Sequence, residues 1–255
     1  MSAENFEPDY KDVAYVRPAP NVNERVGGPA DMLLIHYTGV VEAEKALKWL
    51  CMEASKVSCH YFVFEDGRVV QSVPERLRGW HAGISSWKGE EDNNSRSIGI
   101  EISNPGHEFG YVPFNDAQME AVIKLSQDIC TRNAIPPERV IGHSDVAPSR
   151  KQDPGEYFPW DKLFEAGVGH WVPEAPLGDG RFFQIGEEGQ PIEALQSMFA
   201  LYGYGIEVNG IFDRKTQDVV TAFQRHWRQS KVDGVADAST IQTLHNLLKS
   251  LPVTA

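Results

Sequence analysis

The sequence predicts an α/β domain with a mixed central sheet flanked by helices, followed by a small all-α domain of three helices. Up to about residue 166, short apolar strand segments alternate with amphipathic helical segments, which is typical of α/β domains. After a stretch rich in proline and glycine, only helical periodicity remains. We therefore divide the chain into a first domain (1–167), a linker (168–180) and a C-terminal domain (181–255).

The elements of the first domain are predicted in order from hydrophobic periodicity and turn residues. Residues 1–30 are polar and contain prolines and Gly27-Gly28, so an extended arm is expected rather than a core element. The pair Asp66-Gly67 between two β-rich segments predicts a hairpin, and a non-periodic stretch at 78–96 predicts a long functional loop. The predicted strands are 31–37, 60–64, 68–73 and 97–103, and the predicted helices are 42–54, about 115–132 and 160–166.

The C-terminal domain contains an internal repeat. The segment 209–216 (NGIFDRKT) is echoed by 233–240 (DGVADAST), and in both a glycine turn precedes an aspartate that can cap the next helix. The predicted helices are 191–202, 214–227 and 239–251.

Composition excludes several classes of protein. The net charge of −12, with no basic patch, argues against a nucleic-acid partner. No apolar run of 18 residues is present, so membrane insertion is not expected. Three cysteines are too few for a disulfide framework and mildly favour a reducing compartment. Residues 1–10 lack the apolar segment of a signal peptide, which favours a cytoplasmic location.

Two histidines at strand exits and one aspartate form a candidate metal site. His143 follows the short apolar strand 139–141, and Asp153 lies ten positions later in a loop restricted by prolines. His36 ends the strand 31–37 in the same manner. Two imidazoles, one carboxylate and an open position suit a hydrolytic zinc ion. No phosphate-binding glycine loop appears, so no organic cofactor is expected.

Four motifs in order resemble a known enzyme family. LLIHYTG (33–39), GWHAG (79–83), SIGIEI (97–102) and GHSDVAPSRKQDPG (142–155) are similar to those of the zinc-dependent N-acetylmuramoyl-L-alanine amidases, in the AmpD/AmiD (amidase type 2) branch of the peptidoglycan-recognition-protein-like fold. The repeat, with ALQ (194–196) and AFQ (222–224), resembles the three-helix peptidoglycan-binding module.

The resemblance implies roles for further residues. Glu101 interrupts an apolar strand, where a carboxylate is costly unless it is used or paired. By resemblance Glu101 is the general base, the alternative being a structural ion pair. Some relatives carry a catalytic tyrosine where this chain has Cys59, which strengthens the assignment of Glu101. Lys151 fits a cation that stabilises the oxyanion, the alternative being a solvated loop lysine.

Candidate substrate contacts lie in the long loop. Trp80 and His81 suit contacts to a sugar or a peptide, with a structural loop anchor as the alternative. Asn93 and Arg96 are weaker candidates for binding the peptide carboxylates. Ser144 and Asp145 do not form a serine hydrolase triad with His143, because adjacency in sequence is not triad geometry and no nucleophile-elbow motif is present.

The sequence therefore predicts a zinc amidase that cleaves the bond between N-acetylmuramic acid and L-alanine in peptidoglycan or muropeptides. Two alternatives remain open at this point: a non-catalytic peptidoglycan-binding sensor, and a zinc peptidase that cuts within the stem peptide. The wall-binding module favours the periplasm and so opposes the cytoplasmic location. The sequence predicts neither the oligomeric state nor the preferred form of substrate.

Overall fold

The computed structural model describes residues 6–251, which form a mixed six-stranded sheet, a separate two-stranded sheet and flanking helices. Two short segments lie outside the described residues: 1–5 and 252–255. The first belongs to the expected arm and to the stretch in which a signal peptide was sought, and the second belongs to the expected C-terminal domain. No helix within 6–251 is long and apolar enough to cross a membrane. The strands are β1 (Tyr15–Val16), β2 (Val22–Glu24), β3 (Met32–Tyr37), β4 (Tyr61–Val63), β5 (Val69–Gln71), β6 (Leu77–Gly79), β7 (Ser97–Ile102) and β8 (Val140–Gly142). The helices are α1 (Ala43–Leu50), α2 (Asn93–Arg96), α3 (Gly106–Phe109), α4 (Asp116–Asn133), α5 (His143–Val146), α6 (Trp160–Glu165), α7 (Gln190–Tyr202), α8 (Arg214–Trp227) and α9 (Ala238–Lys249).

The main sheet has the strand order β1-β5-β4-β7-β3-β8. Strand β3 pairs in parallel with both β7 and β8, and β7 pairs in parallel with β4. The carboxyl ends of β3, β7 and β8 therefore meet at one edge of the sheet. This edge brings together three segments that are far apart in sequence, and the predicted mixed α/β fold is confirmed.

The two faces of the sheet have different neighbours. Alternate residues of a strand point to opposite faces, and Ile98, Ile100 and Ile102 pack with the apolar stripe of α4 in one buried cluster. Helix α4 begins with the expected cap: the Asn115 side chain accepts a hydrogen bond from Gln118 N, and the Gln118 side chain accepts one from Asn115 N in return. The opposite face carries Gly99 and Glu101, and it is the face on which the functional groups lie.

The prediction of an extended arm over residues 1–30 was wrong in part. Strand β1 adds to the main sheet beside β5, and β2 pairs with β6. Ala19 and Val22 are buried in a small cluster with Val73 and Leu77. This segment is therefore part of the folded domain and contributes one strand to each of the two sheets.

The predicted hairpin, the strands in the first domain and all six longer helices are confirmed to within a few residues. The long loop at 78–96 is less irregular than expected, because it begins with the end of β6 and closes with the short helix α2. Asp92 caps α2 by accepting a hydrogen bond from Ser95 N. The segment between them covers the functional edge of the sheet.

The three C-terminal helices pack against the first domain through a shared apolar cluster. Met32, Leu34 and Ile141 from the sheet are buried together with Phe199 and Trp227 from α7 and α8. The repeat is confirmed in structural terms, since each repeated aspartate caps the following helix through the backbone N–H of a threonine: Asp213 to Thr216 at 2.9 Å and Asp237 to Thr240 at 2.8 Å.

The predicted linker (168–180) contains neither helix nor strand. Its first half packs against the folded chain: Val168 is buried, and the hydroxyl of Tyr202 lies 2.9 Å from His170 Nδ1. Residues 173–180 are exposed except for Ala175, whose backbone N donates to Thr243 Oγ1 at 2.9 Å. The exact domain boundaries remain a prediction.

Candidate active site

Two histidines and one aspartate converge at the carboxyl edge of the main sheet. Nδ1 of His36 lies 2.9 Å from Nδ1 of His143 and 3.1 Å from Oδ2 of Asp153. The third distance, from His143 Nδ1 to Asp153 Oδ2, is 3.0 Å. All three side chains are buried. The structure thus brings together the three residues that the sequence analysis selected as metal ligands.

Each of the three residues is positioned by its own local structure. His36 lies near the end of β3, and His143 begins the short helix directly after β8. Asp153 is tied to the His143 segment because Ser144 N donates to the carbonyl oxygen of Asp153 at 2.9 Å. Gly142 is required at the turn, since a Cβ there would lie 2.7 Å from Pro154 Cδ.

Hydrogen bonds at the far nitrogen of each imidazole determine which nitrogen faces the cluster. Nε2 of His143 lies 3.0 Å from the carbonyl oxygen of Ala82, which can only accept, so this nitrogen carries the proton. Nε2 of His36 lies 3.1 Å from Nδ1 of His81, and we assign its proton to this contact. Both Nδ1 atoms then direct lone pairs at the Asp153 carboxylate. Three acceptors facing one point, with no proton between them, match a cation site.

The surroundings set the protonation states of His36 and Asp153 in this cluster. Desolvation, assisted by the neighbouring His143, lowers the pKa of His36 to about 4, so His36 is neutral near pH 7. Burial alone would raise the pKa of Asp153, but the contacts with His143 and His36 outweigh it and hold that pKa well below its usual range. A neutral His36 imidazole and an ionised Asp153 carboxylate therefore face each other in the cluster.

Glu101 lies beside the cluster on the neighbouring strand. It is the residue of β7 that pairs with His36 in β3. Its Oε2 is buried and has no hydrogen-bond partner within residues 6–251. Burial, with a smaller contribution from the negative charge of Asp153, raises the pKa of Glu101 well above its usual value. Glu101 is thus not the structural ion pair considered as an alternative, and its carboxyl group faces a cleft.

Cys59 occupies the position at which some relatives carry tyrosine. Its thiol is fully buried among apolar side chains of α1 and the sheet, and burial raises its pKa well above the usual value. A buried neutral thiol is a poor proton carrier. Glu101 is therefore the better placed acid–base group in this chain.

Lys151 lines the same cleft as Glu101 and Asp153. Its side chain is half-buried, and its positive charge lowers the pKa of Glu101, against the dominant effect of burial. None of the salt bridges found among residues 6–251 includes Lys151. A cation at this place is available to a negatively charged group in the cleft.

The loop candidates for substrate binding divide into two groups. Trp80 and His81 both line the cleft; the Trp80 indole N–H donates to Asn23 Oδ1 at 2.6 Å, and His81 is the partner of His36. Asn93 and Arg96 do not line it. Asn93 is fully buried and donates to Ser85 Oγ, and Arg96 pairs with Asp31 at the other end of β7. Both residues therefore lie away from the cleft, and their assignment to substrate binding stays a prediction.

Sequence reasoning missed the residues that hold the loop over the site. Asn94 Oδ1 accepts hydrogen bonds from His81 N at 2.8 Å and Ala82 N at 2.7 Å. Arg150 Nη2 donates to the carbonyl oxygens of Ala82 and Ile84, both at 2.7 Å. Gly99 leaves room for the His81 ring, because a Cβ there would lie 2.6 Å from His81 Nδ1. Two glycines were the only signal for these contacts in the sequence: Gly79, which ends β6, and Gly99, which interrupts β7.

The cluster opens on two cavities. The larger, of about 1050 Å³, lies under the loop 80–86 and is closed at one side by Gly205 of the C-terminal part. The smaller, of about 450 Å³, contains Glu101 and Asp153 and is bordered by the half-exposed Trp49. His143 and Lys151 line both cavities, so the candidate ligands lie where the two meet.

This geometry defines the class of protein: a hydrolase built on a mixed α/β sheet, with a metal-type ligand set at the strand ends and an open cleft above it. Comparisons with known proteins specify the family. A family model described as N-acetylmuramoyl-L-alanine amidase matches residues 26–156, and one described as putative peptidoglycan binding domain matches residues 188–244.

The chain is 37% identical over 233 residues to the N-acetylmuramoyl-L-alanine amidase AmiD of Escherichia coli (strain K12), covering 86% of this chain and 82% of AmiD. A solved complex of E. coli AmiD with the substrate anhydro-N-acetylmuramic acid-L-Ala-D-gamma-Glu-L-Lys superposes with a TM-score of 0.74 at 33% identity, covering 89% of this chain and 92% of the other. AmpDh3 from Pseudomonas aeruginosa, solved with anhydromuramic pentapeptide, gives a TM-score of 0.74 at 26% identity, covering 98% and 100%. The chain belongs to the N-acetylmuramoyl-L-alanine amidase family, and the resemblance seen in its motifs is confirmed.

Proposed function

We propose that this chain is a zinc-dependent amidase that hydrolyses the bond between N-acetylmuramic acid and L-alanine in muropeptides. His36, His143 and Asp153 hold the zinc ion in this proposal. Glu101 carries the proton, and Lys151 stabilises the charge that develops on the scissile carbonyl oxygen. The family fixes the reaction, and the arguments below concern the metal, the residues and the substrate.

The observation that carries the proposal is the triangle of lone pairs formed by His36, His143 and Asp153. Its edges are 2.9, 3.1 and 3.0 Å. A tetrahedral zinc ion with bonds of 2.0–2.1 Å requires edges of about 3.3 Å, so opening each edge by a few tenths of an ångström suffices. Nitrogen and carboxylate ligands suit zinc. His143 and Asp153 line the cleft, so a zinc ion held by the three residues would be accessible to water and substrate.

A zinc ion in this site supplies a Lewis acid and lowers the pKa of a water molecule toward neutrality. Glu101 takes the proton from the attacking water and passes it to the departing nitrogen of L-alanine. A carboxyl group performs both transfers best when its pKa approaches the working pH, and burial raises the pKa of Glu101 in that direction. Its buried, unpartnered Oε2 is consistent with a group that reacts rather than one that holds the fold.

Lys151 and Arg150 supply positive charge next to the reacting carbonyl. The carbonyl oxygen becomes an oxyanion during attack, and a fixed cation lowers the energy of that state. Arg150 is held by two backbone carbonyls of the loop above the cleft, so its charge is fixed in place. Lys151 is freer, and we assign it the direct contact.

The substrate class follows from the cleft and from the relatives. AmiD was solved with an anhydromuropeptide and AmpDh3 with an anhydromuramic pentapeptide. Four basic side chains line the larger cavity of a chain whose net charge is −12, against two acidic ones: Lys56, Arg78, Arg150 and Lys151 against Glu91 and Asp92. Such an excess of positive charge attracts the carboxylates of a stem peptide. We propose that the peptide lies along Lys56 and Arg150, that Lys151 is left to the scissile carbonyl, and that Trp80 packs against the sugar or the first peptide unit.

The C-terminal helices, which we place at 181–255 after a linker at 168–180, would bind peptidoglycan and keep the enzyme near its substrate. Joining a binding module to a catalytic domain raises the effective substrate concentration. The catalytic domain then comprises residues 1–167.

Mass spectrometry of the products tests the proposal. Purified sacculi and soluble anhydromuropeptides are incubated with the chain as purified, after chelation, and after zinc is restored. We expect release of free peptides that begin with L-alanine, loss of release on chelation and recovery with zinc. Glu101→Gln should keep zinc binding and lose at least about 100-fold in turnover, since general acid–base groups contribute 10²- to 10⁴-fold.

Three outcomes would contradict the proposal in different ways. Release that survives complete chelation would exclude zinc. Products cut within the stem peptide would replace the amidase by a peptidase. Zinc bound without release from either substrate would favour a binding protein that has kept the fold.

A further inference from the structure

A buried carboxylate next to the His143 ligand is held mainly by the C-terminal part of the chain. Asp145 is 0% exposed and lies in the same short helix as His143. Its Oδ2 accepts a hydrogen bond from Gly142 N at 2.8 Å, and its Oδ1 accepts one from the Tyr204 hydroxyl at 2.7 Å. Nδ1 of His226 lies 2.7 Å from Oδ2 and completes the set.

Two of these three donors come from the helical module. Tyr204 lies two residues after the end of α7, and His226 lies in α8. The His226 ring is stacked between Trp160 at 3.7 Å and Trp227 at 3.4 Å, which fixes the direction of its Nδ1. The Tyr204 ring packs edge-on against Trp87 at 5.1 Å. Both donors are therefore rigid supports rather than adaptable surface contacts.

The arrangement links the module to the start of α5. A buried carboxylate left without donors carries a large desolvation cost, so loss of Tyr204 or His226 would force Asp145 to move or to admit water. The same carboxylate anchors Gly142 N, the residue before His143. A shift of Asp145 is thus transmitted to the turn from which the His143 imidazole projects.

The other ligand-bearing segment is supported by the same helix. Arg225 of α8 lies 3.6 Å from a carboxylate oxygen of Glu156, three residues after Asp153. Gln229, just beyond α8, donates to the carbonyl oxygen of Phe158 at 2.8 Å. Helix α8 and its end therefore contact the chain on both sides of the loop that joins His143 to Asp153.

We infer that Tyr204 and His226 are positioning residues of the catalytic centre: they hold Asp145, and through it the turn that presents His143. The helical module then has a second role besides any binding of peptidoglycan, because it completes the scaffold of the metal site. The inference rests on the proposed zinc amidase function for its meaning, although the packing of the turn can be measured without metal.

The test compares single and double variants in the full chain. Tyr204→Phe removes one donor and keeps the ring, and His226→Phe removes the other while keeping a ring between Trp160 and Trp227. His226→Asn restores a donor near the position of Nδ1. The matched control is Tyr202→Phe, which deletes another buried tyrosine hydroxyl of the same module. That hydroxyl contacts His170 and not Asp145.

Three readouts separate positioning from wall binding. Zinc affinity is measured by competition with a chelator, kcat and KM are measured on a soluble muropeptide, and amide hydrogen exchange is followed at residues 142–154 of the metal-free chain. Loss of groups that orient metal ligands costs 10- to 100-fold in affinity or activity. We expect a loss of that size in zinc affinity and kcat for Tyr204→Phe/His226→Phe, with KM and sacculus binding unchanged and with faster exchange at 142–146. His226→Asn should recover part of the loss.

The inference is overturned if the double variant folds and its zinc affinity, kcat and exchange remain within twofold of the Tyr202→Phe control. Should the double variant fail to fold, Tyr204→Phe alone decides by the same comparison. If the unmodified chain binds no zinc, the proposed function fails, whereas the exchange comparison on the metal-free chain still accepts or rejects the positioning role.

Discussion

Replacing Gly99 by alanine is the most informative single change near the metal site. The new Cβ would lie 2.6 Å from Nδ1 of the His81 ring and 2.7 Å from its Cγ and Cε1. The His81 backbone is held by the Asn94 side chain, so the ring must absorb most of the displacement. His81 is the hydrogen-bond partner of His36 Nε2. Gly99→Ala therefore disturbs the proposed zinc ligand His36 through its neighbour without touching it.

The size of the effect follows from the distances. The His81 ring must retreat by about 0.8 Å to reach the 3.4 Å of ordinary van der Waals contact. A movement of that size is enough to stretch the 3.1 Å contact between His36 and His81 beyond hydrogen-bonding range. Overpacking of this kind costs about 1–3 kcal/mol in folding stability. Loss of the partner that orients His36 should lower zinc affinity by about 10- to 100-fold.

The assay is a chelator competition for zinc, accompanied by thermal unfolding of the metal-free and zinc-loaded chains. Gly178→Ala is the matched control, because a Cβ there meets nothing within 4 Å and the backbone is not left-handed. We expect Gly178→Ala to behave as the unmodified chain. A folded Gly99→Ala variant whose zinc affinity equals that of the control would refute the role given to His81.

Three further predictions follow from the same structure. Lys151→Met should lower kcat by about 10²- to 10³-fold with little change in KM, since it removes charge stabilisation of the transition state. The exposed Lys45→Met serves as the control in steady-state assays. An equally small effect of both variants on kcat would refute the role assigned to Lys151. Glu75 accepts hydrogen bonds from Arg132 and Tyr61. Burial alone would raise the pKa of Glu75, but these two contacts and a third from Asn133 outweigh it and lower that pKa. The stabilisation by Glu75 is therefore present above its unfolded pKa of about 4.3 and is lost as the pH falls through the lower pKa of the folded state. Denaturant unfolding should therefore show Glu75→Gln less stable by about 1–3 kcal/mol at pH 7, with the difference shrinking below pH ~4. The exposed Glu207→Gln serves as control and should show no such difference. A constant difference between Glu75→Gln and the unmodified chain at all pH values would contradict this origin. Asp213→Ala removes the cap of α8 and should cost about 1 kcal/mol. The loss should shift one cooperative calorimetric transition of the whole chain, because the apolar cluster spans sheet and module. A separate transition of the module alone would contradict that coupling.

Three of the polar residues that meet at the carboxyl edge of the sheet have a strong local signal in the sequence. His36 and Glu101 interrupt the apolar strands β3 and β7 one residue before their ends, and His143 directly follows the apolar strand β8. Parallel pairing of β3 with β7 and β8 then brings the three residues to one edge. Only the pairing itself required knowledge beyond the local pattern, and the family resemblance supplied it.

The loop and the arm could not be predicted in the same way. Which side chain of a loop faces a cleft depends on contacts made far away: Asn94 holds the loop over the site, whereas its neighbour Asn93 is buried against Ser85. Strands β1 and β2 contain only two and three residues, too few to show a period of two. Their stability comes from partners more than fifty residues away, which a local pattern does not contain.

Asp145 shows most clearly where sequence reasoning ends. The sequence analysis rejected Asp145 as part of a serine triad, and its carboxylate is bound by Tyr204 and His226 instead. Nothing in the local sequence indicated these two partners, which lie 59 and 81 residues further along the chain. The proline- and glycine-rich stretch at 168–180 suggested two independent parts. Composition describes how flexible such a stretch would be alone, however, and not how much apolar and charged surface is buried across it. Because Leu34 and Ile141 share a core with Trp227, and Asp145 depends on donors from the module, a chain that ends before residue 181 would expose apolar surface and an unpaired carboxylate beside a metal ligand. The module is thus better regarded as a part of the catalytic fold than as an attachment to it.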